Sequence, residues 1–111
     1  MKVAEIPDVL DCTTLTPGKA DTAVTGGYTS DLLSDVMGNA CEGDILITIQ
    51  GHKNTVAVAQ LGGLPAILLC NGRTATDDML AAADREGIAI FSTNLNQFLS
   101  SHRLASALGI E

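Results

Sequence analysis

The chain has 111 residues, with 13 acidic and 6 basic side chains and a formal net charge of −7. So few cations argue against nucleic acid or an anionic membrane as a partner, because both need clustered Lys and Arg to neutralise phosphates. Aromatic residues make up only 3% of a chain that is 46% hydrophobic, which removes the platforms for base stacking and leaves ample aliphatic material for a core. A chain this short is expected to form one domain over residues 1–111.

The first twenty residues carry two signals. Ala4 to Leu10 reads as a short helix with Pro7 near its start. CTTLT (12–16) has the β-branched character of a strand and is broken by Pro17-Gly18. TAVTGG (22–27) reads as a short strand that ends in a glycine turn. A helix is expected over 31–40, capped by Thr29 or Ser30, with Leu32, Leu33, Val36 and Met37 as its apolar stripe.

From Asp44 onward the punctuation is regular. DILITIQ (44–50), PAILLC (65–70) and IAIFST (88–93) read as strands, each followed by a helical pattern over 54–62, 76–87 and 95–109. Near-continuous aliphatic runs are what strands covered on both faces look like. The expected fold is therefore a three-layer α/β/α sandwich around a mostly parallel sheet of about five strands. Thr76 followed by Asp77 and Asp78 marks a helix start, and Gly87 marks its end.

Cys12, Cys41 and Cys70 are odd in number and far apart, with no zinc-ribbon spacing. Each lies in or beside an apolar stretch and reads as a small buried hydrophobe. Acids at Glu5 and Asp8 interrupt the N-terminus too early for a signal peptide. The longest apolar run, Leu64 to Cys70, falls far short of the roughly 20 residues a membrane span requires. A cytoplasmic location is expected.

Ligands of an open parallel sheet gather beyond the carboxyl ends of its strands, where helix N-termini present free N–H groups. Reading those ends in order nominates Thr25, Gly26 and Gly27, then Gln50, His52 and Lys53, then Asn71 and Arg73. Lys53 and Arg73 are two of only six cations, so the rim is where a small anion, a carboxylate or a nucleotide phosphate would be held. Gly, Asn, Ser and Thr are also what turns and caps need for backbone reasons alone. No Ser or Cys nucleophile stands at a motif position near His52, which reads more readily as a turn or helix-start residue than as a base, and His102 reads as a solvated helix residue. Asp31 and Asp35 are expected one turn apart on an acidic helix face. No cofactor and no metal site is indicated.

The stretch VTGGYTSDLLSDVMGNACEGDILITIQGHKNTVAVAQLGGLPAILLCNGR (24–73) resembles the DRTGG domain family, and the likeness extends from about residue 20 to residue 108. Thr25-Gly26-Gly27 match the naming motif, whereas Ala23 and Val24 stand where its Asp and Arg would be. The resemblance implies a domain similar to the N-terminal domain of HPr kinase/phosphorylase. It further implies an accessory role, regulating a partner enzyme or assembling dimers, without chemistry of its own. Kinase activity is not implied, because the Walker A loop it requires is absent.

Three readings follow. The first is a non-catalytic regulatory or interaction domain acting as a homodimer, since a short chain gains stability by burying a face against a second copy. The second is a sensor that binds a nucleotide or another small anion on the strand-end rim. An enzyme with His52 as general base comes third, for want of a nucleophile, a metal set or paired carboxylates.

Overall fold

A computed structural model describes residues 1–110. A single 3-10 turn (Val3–Glu5) leads into α1 (Ile6–Leu10), with Pro7 in the first helical turn, where its missing N–H costs nothing. Then follow β1 (Thr13–Thr16), β2 (Gly26–Thr29), α2 (Leu33–Asn39), β3 (Asp44–Thr48), α3 (Lys53–Gly62), β4 (Ala66–Leu69), α4 (Asp77–Glu86), β5 (Ala89–Ser92) and α5 (Gln97–Ala107).

The five strands form one sheet in the order β1-β5-β4-β3-β2. β2, β3, β4 and β5 run parallel, and β1 joins β5 antiparallel. Each parallel step advances one position in the same direction, so the crossover helices α2, α3 and α4 fall on one face. Chain reversal after β5 sends α5 to the other face, where it lies against β2, β3 and α1. The expected three-layer sandwich is the observed fold.

Every residue of β3 and β4 is buried, which is why neither strand alternates in polarity. Alternate side chains feed two cores. Leu46, Ile67, Leu69 and Ile90 meet Val56, Met79 and Ala83 beneath α2–α4, while Ile45, Ile47, Leu68 and Phe91 meet Ile6, Leu10 and Leu104 beneath α1 and α5. The expected N-cap of α4 is present: the Thr76 hydroxyl oxygen accepts from the Met79 N–H at 3.4 Å, and Gly87 ends the helix at φ +69°.

Four expectations are corrected. The second strand is Gly26–Thr29, not 22–27, because Thr22 and Val24 are taken up by the N-terminal segment. Val3 N–H donates to the Thr22 carbonyl and Val24 N–H to that of Met1. The helix after it starts at Leu33; Ser30 Oγ accepts from the Leu32 N–H at 3.2 Å and closes a turn just before it. Leu32 and Met37 are 64% and 62% exposed, so Val36 alone of the expected stripe is buried. Among the cysteines only Cys70 is buried; Cys12 is half-buried and Cys41 exposed.

Candidate functional site

The carboxyl ends of β2, β3, β4 and β5 form a continuous rim. Its backbone is zipped loop to loop. Gly51 lies so close to the Thr74 carbonyl that a Cβ there would sit 2.5 Å from its oxygen. Asn71 N–H donates to the Leu95 carbonyl at 2.9 Å, and Gly72 N–H to that of Thr93 at 2.8 Å. Asn71 and Gly72 both take positive φ, +58° and +68°, which tightens the turn after β4.

Asp31 is the centre of the rim. Its Oδ1 accepts from the Thr48 hydroxyl, the Ile49 N–H and the Gln97 amide, each at 3.0 Å. Its backbone carbonyl accepts from the Gln50 amide, also at 3.0 Å. One carboxylate thus ties the end of β2 to the end of β3 and to the first turn of α5. Asp31 precedes α2, so it does not share a helix face with Asp35 as expected. Asp35 instead accepts from the Tyr28 hydroxyl at 2.7 Å. That bond and one from Ser30 hold its carboxyl below the ordinary 3.8, and the same bond pushes the Tyr28 phenol up.

The nominated residues divide into two groups. Gln50, His52, Lys53, Asn71 and Arg73 lie on this rim. Thr25, Gly26 and Gly27 do not: Gly26 and Gly27 begin β2 and Thr25 precedes it, at the opposite end of the sheet, with Gly26 beside Asp44 at the start of β3. Neither glycine has positive φ, so no phosphate-cradling turn forms there. Their smallness serves close packing. A Cβ on Gly26 would sit 2.6 Å from Asp44 Oδ1, and one on Gly27 2.5 Å from Leu104 Cδ2.

On the rim itself, Gln50 is turned toward Asp31. His52 occupies the N-cap position of α3 without a side-chain capping bond. It shares a shallow concavity of about 360 Å³ with Lys53, Asn54, Thr76 and Asp78. Thr76 chiefly, with a smaller contribution from the Lys53 charge, holds the Asp78 carboxyl below its ordinary value. Among the described residues, the side chains of His52, Lys53 and Arg73 make no ion pair. An anion arriving here meets exposed cations, with Asp78 as a counterweight beside Lys53. Among the described residues, no three His, Cys, Asp or Glu side chains gather to hold a metal ion.

Asp31, Thr48 and Gln97 were not among the nominated residues. The signal was an acid placed two residues after a strand, where a carboxylate can reach the neighbouring strand end. It was hidden by reading Asp31 as the first residue of a helix.

The fold and rim define an open, mostly parallel α/β/α domain. No protein-family model matches the chain, and no curated protein matches it in sequence. Among solved structures it is similar to the CBS and DRTGG domains of the regulatory region of Clostridium perfringens pyrophosphatase, complexed with the activator diadenosine tetraphosphate. The TM-score is 0.70 at 15% identity, covering 96% of this chain and 47% of that one. This chain therefore spans about half the length of that structure, and the likeness is one of fold.

Proposed function

We propose that the chain is a non-catalytic regulatory module of the DRTGG type whose working form is a homodimer. The observation that carries this reading is the shared fold, which extends over 96% of the chain and comes from the regulatory region of an enzyme. The Thr25-Gly26-Gly27 sequence supports the DRTGG assignment, because its two glycines are sites of close approach in the structure. A regulatory role agrees with a rim whose central carboxylate is committed to internal hydrogen bonds. No helix among the described residues is long and apolar enough to cross a membrane. Sedimentation equilibrium at micromolar concentration tests the dimer. A species of twice 11.4 kDa is expected, and an 11.4 kDa species alone at every concentration refutes it.

A second reading, a sensor of a nucleotide or other anion, is favoured by the exposed His52, Lys53 and Arg73, which make no ion pair among the described residues. The similar structure was solved with a nucleotide activator. Thermal melting with diadenosine tetraphosphate, adenosine triphosphate and inorganic phosphate addresses it. Ligand at about 100 times its dissociation constant adds about 2.7 kcal/mol of stability, a gain that Lys53→Ala or Arg73→Ala should remove. No melting shift with any of the three defeats the sensor reading.

A further inference from the structure

We propose that the groove between α2 and α3 docks a basic protein segment, which seats one aliphatic side chain between the two helices and sets a Lys or Arg beside it against Glu42. The groove lies away from the strand-end rim, and its use does not depend on the chain being a dimer.

α2 is the least secured of the five α-helices. Only Val36 of its residues is buried, and no side chain caps its start. Gly38 has open space where a Cβ would be. Large apolar side chains are nonetheless left in water here: Met37 is 62% exposed, and Leu61 of the neighbouring α3 is 72% exposed. With Val36, Ala40, Gly62 and Leu64 they line a cavity of about 80 Å³. That is the space of about three water molecules, enough for the end of a Leu, Ile or Met side chain. An open apolar groove of this kind is where a partner anchors.

The surroundings of the cavity are negative. α2 and α3 each cross back from one parallel strand to the next, so their C-terminal ends lie together, and Ala40 and Gly62 at those ends line the cavity. Helix C-termini carry partial negative charge on carbonyls that lack an intrahelical partner. The Cys41 N–H, which could have bonded the Met37 carbonyl, donates instead to Asp44 Oδ2 at 2.8 Å. Glu42 adds a full charge. It lies against Gly63, where a Cβ would sit 2.9 Å from its Cγ, and it makes no ion pair among the described residues. Residues 20–52 carry Asp21, Asp31, Asp35, Glu42 and Asp44 and no Lys or Arg. The one cation of α3, Lys53, stands at its far end.

Charge therefore selects the occupant. An acidic protein, or a second copy at −7, is repelled from this end of the groove, whereas a Lys or Arg is drawn to Glu42 and to both helix ends. The cavity separates such a partner from any polycation, because an aliphatic side chain must lie next to the cation. One face of an amphipathic helix presents that pair at a spacing of three or four residues.

Methionine-methyl NMR on the unaltered chain reads the site, because Met37 lines the groove and Met79 is buried in the core. The probes are a helical Leu/Lys amphipathic peptide, a Leu/Glu peptide of the same pattern, and polylysine. The Leu/Lys peptide is expected to shift the Met37 methyl saturably and to leave Met79 in place. Glu42→Lys should weaken its binding more than about tenfold and Leu61→Ser about tenfold. Both positions are exposed, and an unchanged Met79 signal shows that each variant is folded. Phe98→Ser, exposed on α5, should leave binding as it was. Equal binding of polylysine, or undiminished binding of the Leu/Lys peptide to the two groove variants, reduces the effect to net charge and overturns the site. Binding of the Leu/Glu peptide overturns it too, as does a Met37 methyl that no probe shifts. A Met37 shift that follows protein concentration without peptide makes a second copy the occupant and overturns the basic partner.

Discussion

The two outer strands of the sheet each leave one side unpaired, and they are finished in opposite ways. β1 runs antiparallel to β5 with a register slip between Thr14 and Thr16, and it ends at once in Pro17 and in Gly18 at φ +61°. A slip and a proline are devices that stop further strand addition. β2 has neither, and its two glycines bring it against Asp44 and Leu104 without any guarding side chain. The same sheet is thus closed on one side and open on the other. The open side carries the motif by which the chain resembles a regulatory family.

Three substitutions sharpen that contrast. The largest effect is expected from Gly18→Ala, at the closed edge. The new methyl meets the Ala89 backbone and must adopt left-handed φ, a combined loss of about 3 kcal/mol. Calorimetry should show the melting temperature fall by roughly 15 °C, and a fall of only a degree or two would mean that β1 is not locked as described. Asp31→Ala comes next. It leaves the Thr48 hydroxyl, the Ile49 N–H and the Gln97 amide without their acceptor, at a cost of about 2 kcal/mol in urea unfolding. If stability is unchanged, water replaces the carboxylate and the open end of β2 is not tied down by it.

The smallest effect is that of Tyr28→Phe. Removing the phenol should let the Asp35 carboxyl rise toward 3.8, as followed by NMR titration. The sign is that of a depressed acid. Its stabilising contribution is present above pH 3.8 and is lost as pH falls through the lower folded value. The variant should therefore lose less stability on acidification than the parent chain. An Asp35 that titrates unchanged would assign the effect to Ser30 and Asn39 instead.

Much of the sheet was legible from residues alone. β3, β4 and β5 announce themselves because burial on both faces requires unbroken aliphatic runs such as Ile45–Ile47 and Ile67–Leu69. β2 does not, since an edge strand made of GGYT has no aliphatic run to detect. Placing it four residues too early had a large consequence: a strand that ends at Gly27 sets the glycines on the rim, whereas one that begins at Gly26 sets them at the far end. Gln50, His52, Lys53, Asn71 and Arg73 were placed correctly because they follow strands that the pattern could find. Asp31 was missed for the same reason the glycines were misplaced. Its partners, Thr48 and Gln97, come together only once β2 is set beside β3 and α5 folds back over both.

The sheet order also separates local pairings from one long-range pairing. β2, β3, β4 and β5 can be added one after another, each neighbour arriving with its own crossover helix. β1 cannot, because its partner is β5, with Thr13 opposite Ser92 near the two ends of the chain. Closing so long a loop is slow relative to local pairing. The register slip exists only once β1 has paired with β5, whereas Pro17 limits strand addition at that end whether or not the pairing has formed.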